Sequence, residues 1–210
     1  MPGIFELPFQ KKRENAQPDA PKGPPCEEKE TTIRLYRMII DRYRDIIEER
    51  ETKSVLDLQR MVQPREESVI KIRDSLTEGF HPYVYEENFL SAAQAALIMV
   101  SSFRTVSSPV SFWLSLQEIQ EIAAGEEIDK SIFLCSVLRS LGSENAKVFV
   151  TDPKSSYVLF QFSGKSFIAD HNQGLLLEKA SGAEALSSLK GKLLYAFNDK
   201  EYEDFQEDGA

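Results

Sequence analysis

The sequence predicts an α+β protein: an N-terminal helical layer followed by a core in which a central helix packs on a small antiparallel sheet. Three observations predict it. Apolar residues recur at helical spacing through the first half, one strongly apolar helix follows, and after it β-branched and aromatic runs alternate with turn dipeptides. With 210 residues, 41% of them hydrophobic, the chain can bury one core with a helical annex. Composition shifts divide it into a Pro-rich leader (1–30), a helical region (31–108), an α+β core (109–202) and an acidic tail (203–210).

The leader holds Pro2, Pro8, Pro18, Pro21, Pro24 and Pro25 among charged and small residues, a composition that cannot bury enough to order itself. Within it, Ile4, Phe5, Leu7 and Phe9 precede Lys11, Lys12 and Arg13. That pattern suits either a docking peptide or a solvated tail. From Thr31, the residues Ile33, Leu35, Tyr36, Ile39, Ile40, Tyr43, Ile46 and Ile47 predict a long amphipathic helix. The charged stretch Glu48 to Lys53 either crosses solvent as helix or breaks it before Val55, Leu58, Met61 and Val62 resume the stripe. Pro64 ends that stripe. Glu66 to Thr77 forms the next helix and stops at Gly79. After His81, Pro82 and Tyr83, a third runs from about Glu86 to Arg104, its alanines allowing close packing on several sides.

Ser115 with Glu118 forms a capping box for a helix over Leu116 to Ala123, with Gly125 at its end. Glu126, Glu127 and Asp129 then precede the apolar run Ile132 to Leu141, placing acids at the positive end of a buried helix that Gly142 closes. Strands are predicted over Ala146 to Thr151, Tyr157 to Phe162 and Ser166 to Asp170, with turns at Asp152-Pro153 and Ser163-Gly164. A short fourth strand at Leu175 to Leu177, a helix from Ala183 to Leu189 and a last strand from Leu193 to Phe197 complete the pattern.

A net charge of -9 and a pI near 4.9 set the surface against nucleic acid phosphates and anionic lipid, so no nucleic-acid or membrane partner is expected. The N-terminus lacks a secretory pattern, and Ala92 to Val100 is too short to span a bilayer. Two cysteines, Cys26 and Cys135, provide neither a disulfide framework nor a metal-ligand spacing, and the cytoplasm is the simplest expectation. No phosphate-cradling Gly-rich loop, paired His or CxxC appears, so neither cofactor nor metal is expected.

Gly125, Glu126, Asp129, Lys130 and the phrase Val137-Leu138-Arg139-Ser140-Leu141-Gly142 resemble the helix that carries the nucleophile in the transglutaminase-like superfamily, with its papain-like cysteine-enzyme fold. Tyr195, Phe197, Asn198 and Asp199 resemble an ending of its archaeal members. The resemblance implies a catalytic Cys, His and Asp. The matching positions here are Glu127, Ser156 and Asp170, and Ile128 replaces one of the family's acids. Only the Asp is kept.

Cysteine attack on an acyl carbon needs a thiolate, whose pKa a helix N-terminus lowers, and a His held in one tautomer by an Asp. Glu127 has weak acyl nucleophilicity, and Ser156 offers no proton-accepting ring. Cys135 lies eight residues past Glu127, roughly 12 Å along the helix axis at 1.5 Å per residue, and reads as a core hydrophobe. His171 is the one histidine near these positions. Together with Glu127 and Asp170 it could polarise a water or hold a cation. Consecutive strand residues face opposite ways, however, so Asp170 and His171 converge only if the strand has ended. The expectation is therefore a catalytically inactive protein that binds a protein or peptide partner. The alternatives are a diverged hydrolase working through Glu127, Asp170 and His171, and an assembly subunit joined by the first helix. Oligomeric state is left open.

Overall fold

In the computed structural model, which describes residues 26–110, 112–153 and 155–205, helices and strands follow the order α1 (Cys26–Glu51), α2 (Val55–Met61), α3 (Glu67–Thr77), α4 (Tyr85–Ser101), β1 (Arg104–Thr105), α5 (Leu116–Ile122), β2 (Ala124–Gly125), α6 (Glu127–Ser140), β3 (Lys147–Asp152), β4 (Ser155–Phe162), β5 (Lys165–Asp170), β6 (Leu175–Lys179), α7 (Gly182–Ser187), β7 (Lys192–Phe197) and β8 (Tyr202–Asp204). The apolar and basic stretch expected to be a docking peptide or tail lies outside the described residues. Two units result, with the boundary between Arg42 and Tyr43 in α1. The first contributes the N-terminal part of α1, whose Ile33, Leu35, Tyr36, Met38 and Ile39 are exposed.

The second unit is built around α6. Its residues Asp129 to Leu138 are all buried, because α3, α4 and α5 cover one side of the helix and β3 and β4 the other. The sheet has the order β6-β5-β4-β3-β7-β8, and every pairing in it is antiparallel. Strand periodicity sorts its side chains between two faces. Val148, Val158, Phe160, Phe167 and Ala169 join the core shared with α4 and α6, whereas Phe149, Leu159, Ile168 and Ala196 pack with Ala185 of α7. Phe89 of α4 meets Phe160 edge-on at 5.4 Å, and Phe160 stacks on Phe167 at 5.2 Å, tying the helical layer to the sheet. Ser163 and Gly164, at φ 50° and 77°, make the tight turn between β4 and β5.

Several expected boundaries are corrected. Helix α1 already includes Cys26 to Glu30, ahead of the expected Thr31, and crosses most of the charged stretch. It breaks at Thr52–Ser54, where the Ser54 and Asp57 capping box opens α2. Helix α4 ends at Ser101, since the hydroxyls of Ser101 and Ser102 bond back to the Ile98 and Met99 carbonyls. Arg104 then enters β1, paired in parallel with β2. Ala123, at φ 47°, supplies the left-handed end of α5 that was expected of Gly125. Gly125 instead leaves room for Asp129, whose Cβ lies 3.0 Å from where a Gly125 side chain would begin. The acidic tail loses its first residues to the sheet, because β8 pairs with β7 and Tyr202 stacks on Tyr195.

Candidate functional site

A cavity of about 680 Å³ opens at the N-terminal end of α6. Its walls are the loop after β1 (Thr105 to Val110), Phe112 and Trp113, the start of α6, and the facing ends of β3, β4 and β7. Hydrogen bonds hold these walls in place. The Val106 N–H donates to the Gly125 carbonyl, and the Ser108 N–H donates to Glu126 Oε1 at 2.8 Å. Arg44 Nη1 donates to the Pro109 carbonyl at 2.6 Å, and the Trp113 indole N–H donates to the Glu51 carbonyl at 3.0 Å. The C-terminal end of α1 thus fixes the loop and the indole that form one side of the cleft.

Glu127 and Ser156 both line this cavity. Glu127 is the first residue of α6, where free amide donors and the helix dipole favour a carboxylate, yet its Oε2 is buried without a hydrogen-bond partner. Asp170 does not line the cleft. Its Oδ1 accepts from the N–H groups of Asn172 and Gln173, both at 3.0 Å, so it caps the turn that ends β5. Both carboxylates still act electrostatically on Lys130.

His171 lies one residue past β5, so the alternation of strand faces no longer governs it. Its ring turns inward, fully buried. There it meets Ser131, to which the sequence assigned no role, and Ser156. Ser131 Oγ lies 2.8 Å from His171 Nε2 and 2.9 Å from Ser156 Oγ, and all three residues are buried. His171 Nδ1 is without a partner at bonding geometry. Burial, reinforced by the nearby Lys130 charge, pushes the His171 pKa down to about 4, so the ring is neutral at pH 7. Ser131 could have been found one helical turn after Glu127, on the same face. A lone serine in an apolar helix gave no such signal.

Two more ionisable side chains are buried here. Asp129 accepts the Glu126 N–H at 2.9 Å, and burial pushes its carboxyl up to about 6. Lys130 donates to the Phe103 carbonyl at 3.2 Å and to Thr105 Oγ1 at 3.1 Å, and burial lowers its pKa. Cys135 is buried against the Ala146 carbonyl at 3.6 Å, with its thiol pushed well up by desolvation. Among the described residues, no group of three His, Cys, Asp or Glu could hold a metal ion, and no helix is long and apolar enough to cross a membrane.

No protein-family model matches the chain, and no curated protein matches it at a significant level. Solved structures of Legionella pneumophila LapG resemble it at 16% identity and a TM-score of 0.49, covering 74% of this chain and 90% of that one. The EGTA-treated LapG gives the same identity and TM-score over 75% and 89%, and the calcium-bound LapG 17% and 0.43 over 68% and 90%. These likenesses are distant. The cytoplasmic expectation does not stand. Two cysteines exclude a disulfide framework, but they do not select a compartment.

Proposed function

We propose that this chain is a catalytically silent transglutaminase-like protein that binds a peptide or protein partner through the cleft at the N-terminal end of α6. One observation supports this above the others. The helix start that must present a thiol carries Glu127, and among the described residues the cleft wall includes neither Cys nor His. Without a thiolate on the wall, acyl transfer by the cysteine mechanism has no first step. What is left is a walled cavity of a size that suits ligands.

The contact between Ser131 and His171 favours a second reading, a diverged hydrolase, since a hydroxyl beside an imidazole is a nucleophile–base pair. Burial counts against it. Neither residue lines the cleft, and no acyl carbon reaches Ser131 Oγ in this arrangement. The two readings separate in a turnover screen of the full chain on peptide amides, glutamine-containing peptides and activated esters. Silence is expected, with rates equal to those of Ser131→Ala and Glu127→Gln. Turnover that either substitution abolishes overturns the proposal.

A further inference from the structure

We infer that the cleft receives an extended peptide segment through a lysine or arginine side chain, whose cationic head is taken by Glu127 and by the faces of Trp113 and Tyr195. This rests on the binding role proposed above and names the ligand's chemistry. Charge is the first argument. Glu48, Glu126, Glu127 and Asp152 line the cavity, and none of its described lining residues is Lys or Arg. Glu126 is already engaged by the Ser108 N–H, and Glu48 lies 3.9 Å from Arg44. Glu127 differs from both, because its buried Oε2 has no donor. Lys130 acts on Glu127 electrostatically, but its ammonium is buried and bonded to Phe103 and Thr105, which leaves that oxygen unsatisfied. Glu127 as a whole is half-buried and lines the cavity, so its carboxylate is open there to a donor that carries positive charge.

The aromatic wall is the second, independent argument. The Trp113 indole is pinned through its N–H to Glu51, and Tyr195 is stacked on Tyr202 at 5.9 Å, so both rings are held in place. Fixed aromatic faces beside a carboxylate attract ammonium and guanidinium groups while their methylene stems lie on apolar surface. The same cavity is lined by Ser107, Thr151, Ser155 and Ser156, whose hydroxyls suit a peptide backbone on either side of the cation. A nucleic acid would meet these carboxylates with its phosphates and be repelled.

Trp113 is the single tryptophan of the chain, so its emission reports from the cleft. The test is a titration of the full chain, at about 150 mM salt to screen the general field of an acidic protein. The probes are short fluorescein-labelled peptides of alternating glycine with arginine, lysine or glutamine. The arginine and lysine peptides should raise fluorescence anisotropy saturably, and their unlabelled forms should shift Trp113 emission. The glutamine peptide should bind about tenfold or more weakly. Glu127→Gln, with unchanged circular dichroism, should lose about tenfold or more for the cationic peptides, while Glu87→Gln, exposed on α4 outside the cleft, should not. Equal binding of the glutamine peptide, or equal losses in both variants, overturns the cationic assignment and leaves the binding role standing. If no peptide moves Trp113 emission, both fall.

Discussion

Asp129, Lys130, Ser131 and His171 are each 1% exposed or less, and they cluster at the start of a helix whose buried remainder is apolar except for Ser136. Two of them titrate in opposite senses. His171 takes a proton near 6.5 when unfolded but only near 4 when folded, so the unfolded state holds more protons between those values. Folding stability therefore falls by about 3 kcal/mol as the pH drops across that window. Asp129 has a folded pKa near 6 against 3.8 unfolded, so the folded state holds more protons, and stability rises by about 3 kcal/mol over the same descent. The two nearly cancel. Relative to the parent, Asp129→Asn should lose stability on acidification from pH 7 to about 4.5, and His171→Gln should gain it. Urea midpoints at both pH values decide the matter, and two variants that track the parent slope would sink it. Much of this cluster was not legible in the sequence. Asp129 and Lys130 were read as helix-start charges, and His171 was tied to strand alternation, which lapses because β5 ends at Asp170 and the chain turns there.

At the scale of elements, the phrase from Val137 to Gly142 acquires separate physical reasons for its residues. Leu138 and Leu141 are core residues, and Gly142, at φ +108°, has the Tyr85 ring 3.0 Å from where a side chain would begin. Arg139 is nearly buried and forks onto Asp199, with Nε to Oδ1 at 2.5 Å and Nη2 to Oδ2 at 3.0 Å, while Nη1 donates to the Ser143 and Glu144 carbonyls. It thereby fastens the end of α6 to the turn between β7 and β8. Arg139→Ala leaves a partly buried carboxylate and two carbonyls without their donor, and should cost about 3 kcal/mol. Pairing it with Asp199→Ala should recover part of that loss. Chemical denaturation of the two single variants and the double variant measures both effects, and a single-variant loss within about 0.5 kcal/mol would remove the fastening role. Elements with caps and long periods, such as α3, α5 and α6, were readable from Glu66, Ser115 and the apolar run after Lys130. Strands β1, β2 and β8 were not, since two or three residues carry no period and their pairing is decided by what lies beside them.

For the whole molecule, the division at Arg42 and Tyr43 has a consequence that can be measured. The central helix, the sheet and the cleft with Glu48 and Trp113, together with Glu51 that holds the indole, all belong to the unit that starts at Tyr43. Its core residues begin at Leu58, whereas the large side chains Ile33, Leu35, Tyr36, Met38 and Ile39 of the preceding unit are exposed. A fragment of residues 43–210, which holds the described core residues, should therefore unfold in one cooperative transition. It should also keep the Trp113 response to cationic peptides. Exposed apolar side chains in that number favour self-association, so light scattering on the full chain and on the fragment tests the assembly role at the same time. A full chain larger than a monomer beside a monomeric fragment assigns assembly to α1 and leaves the cleft as a separate function. A fragment that unfolds without cooperativity would overturn the division.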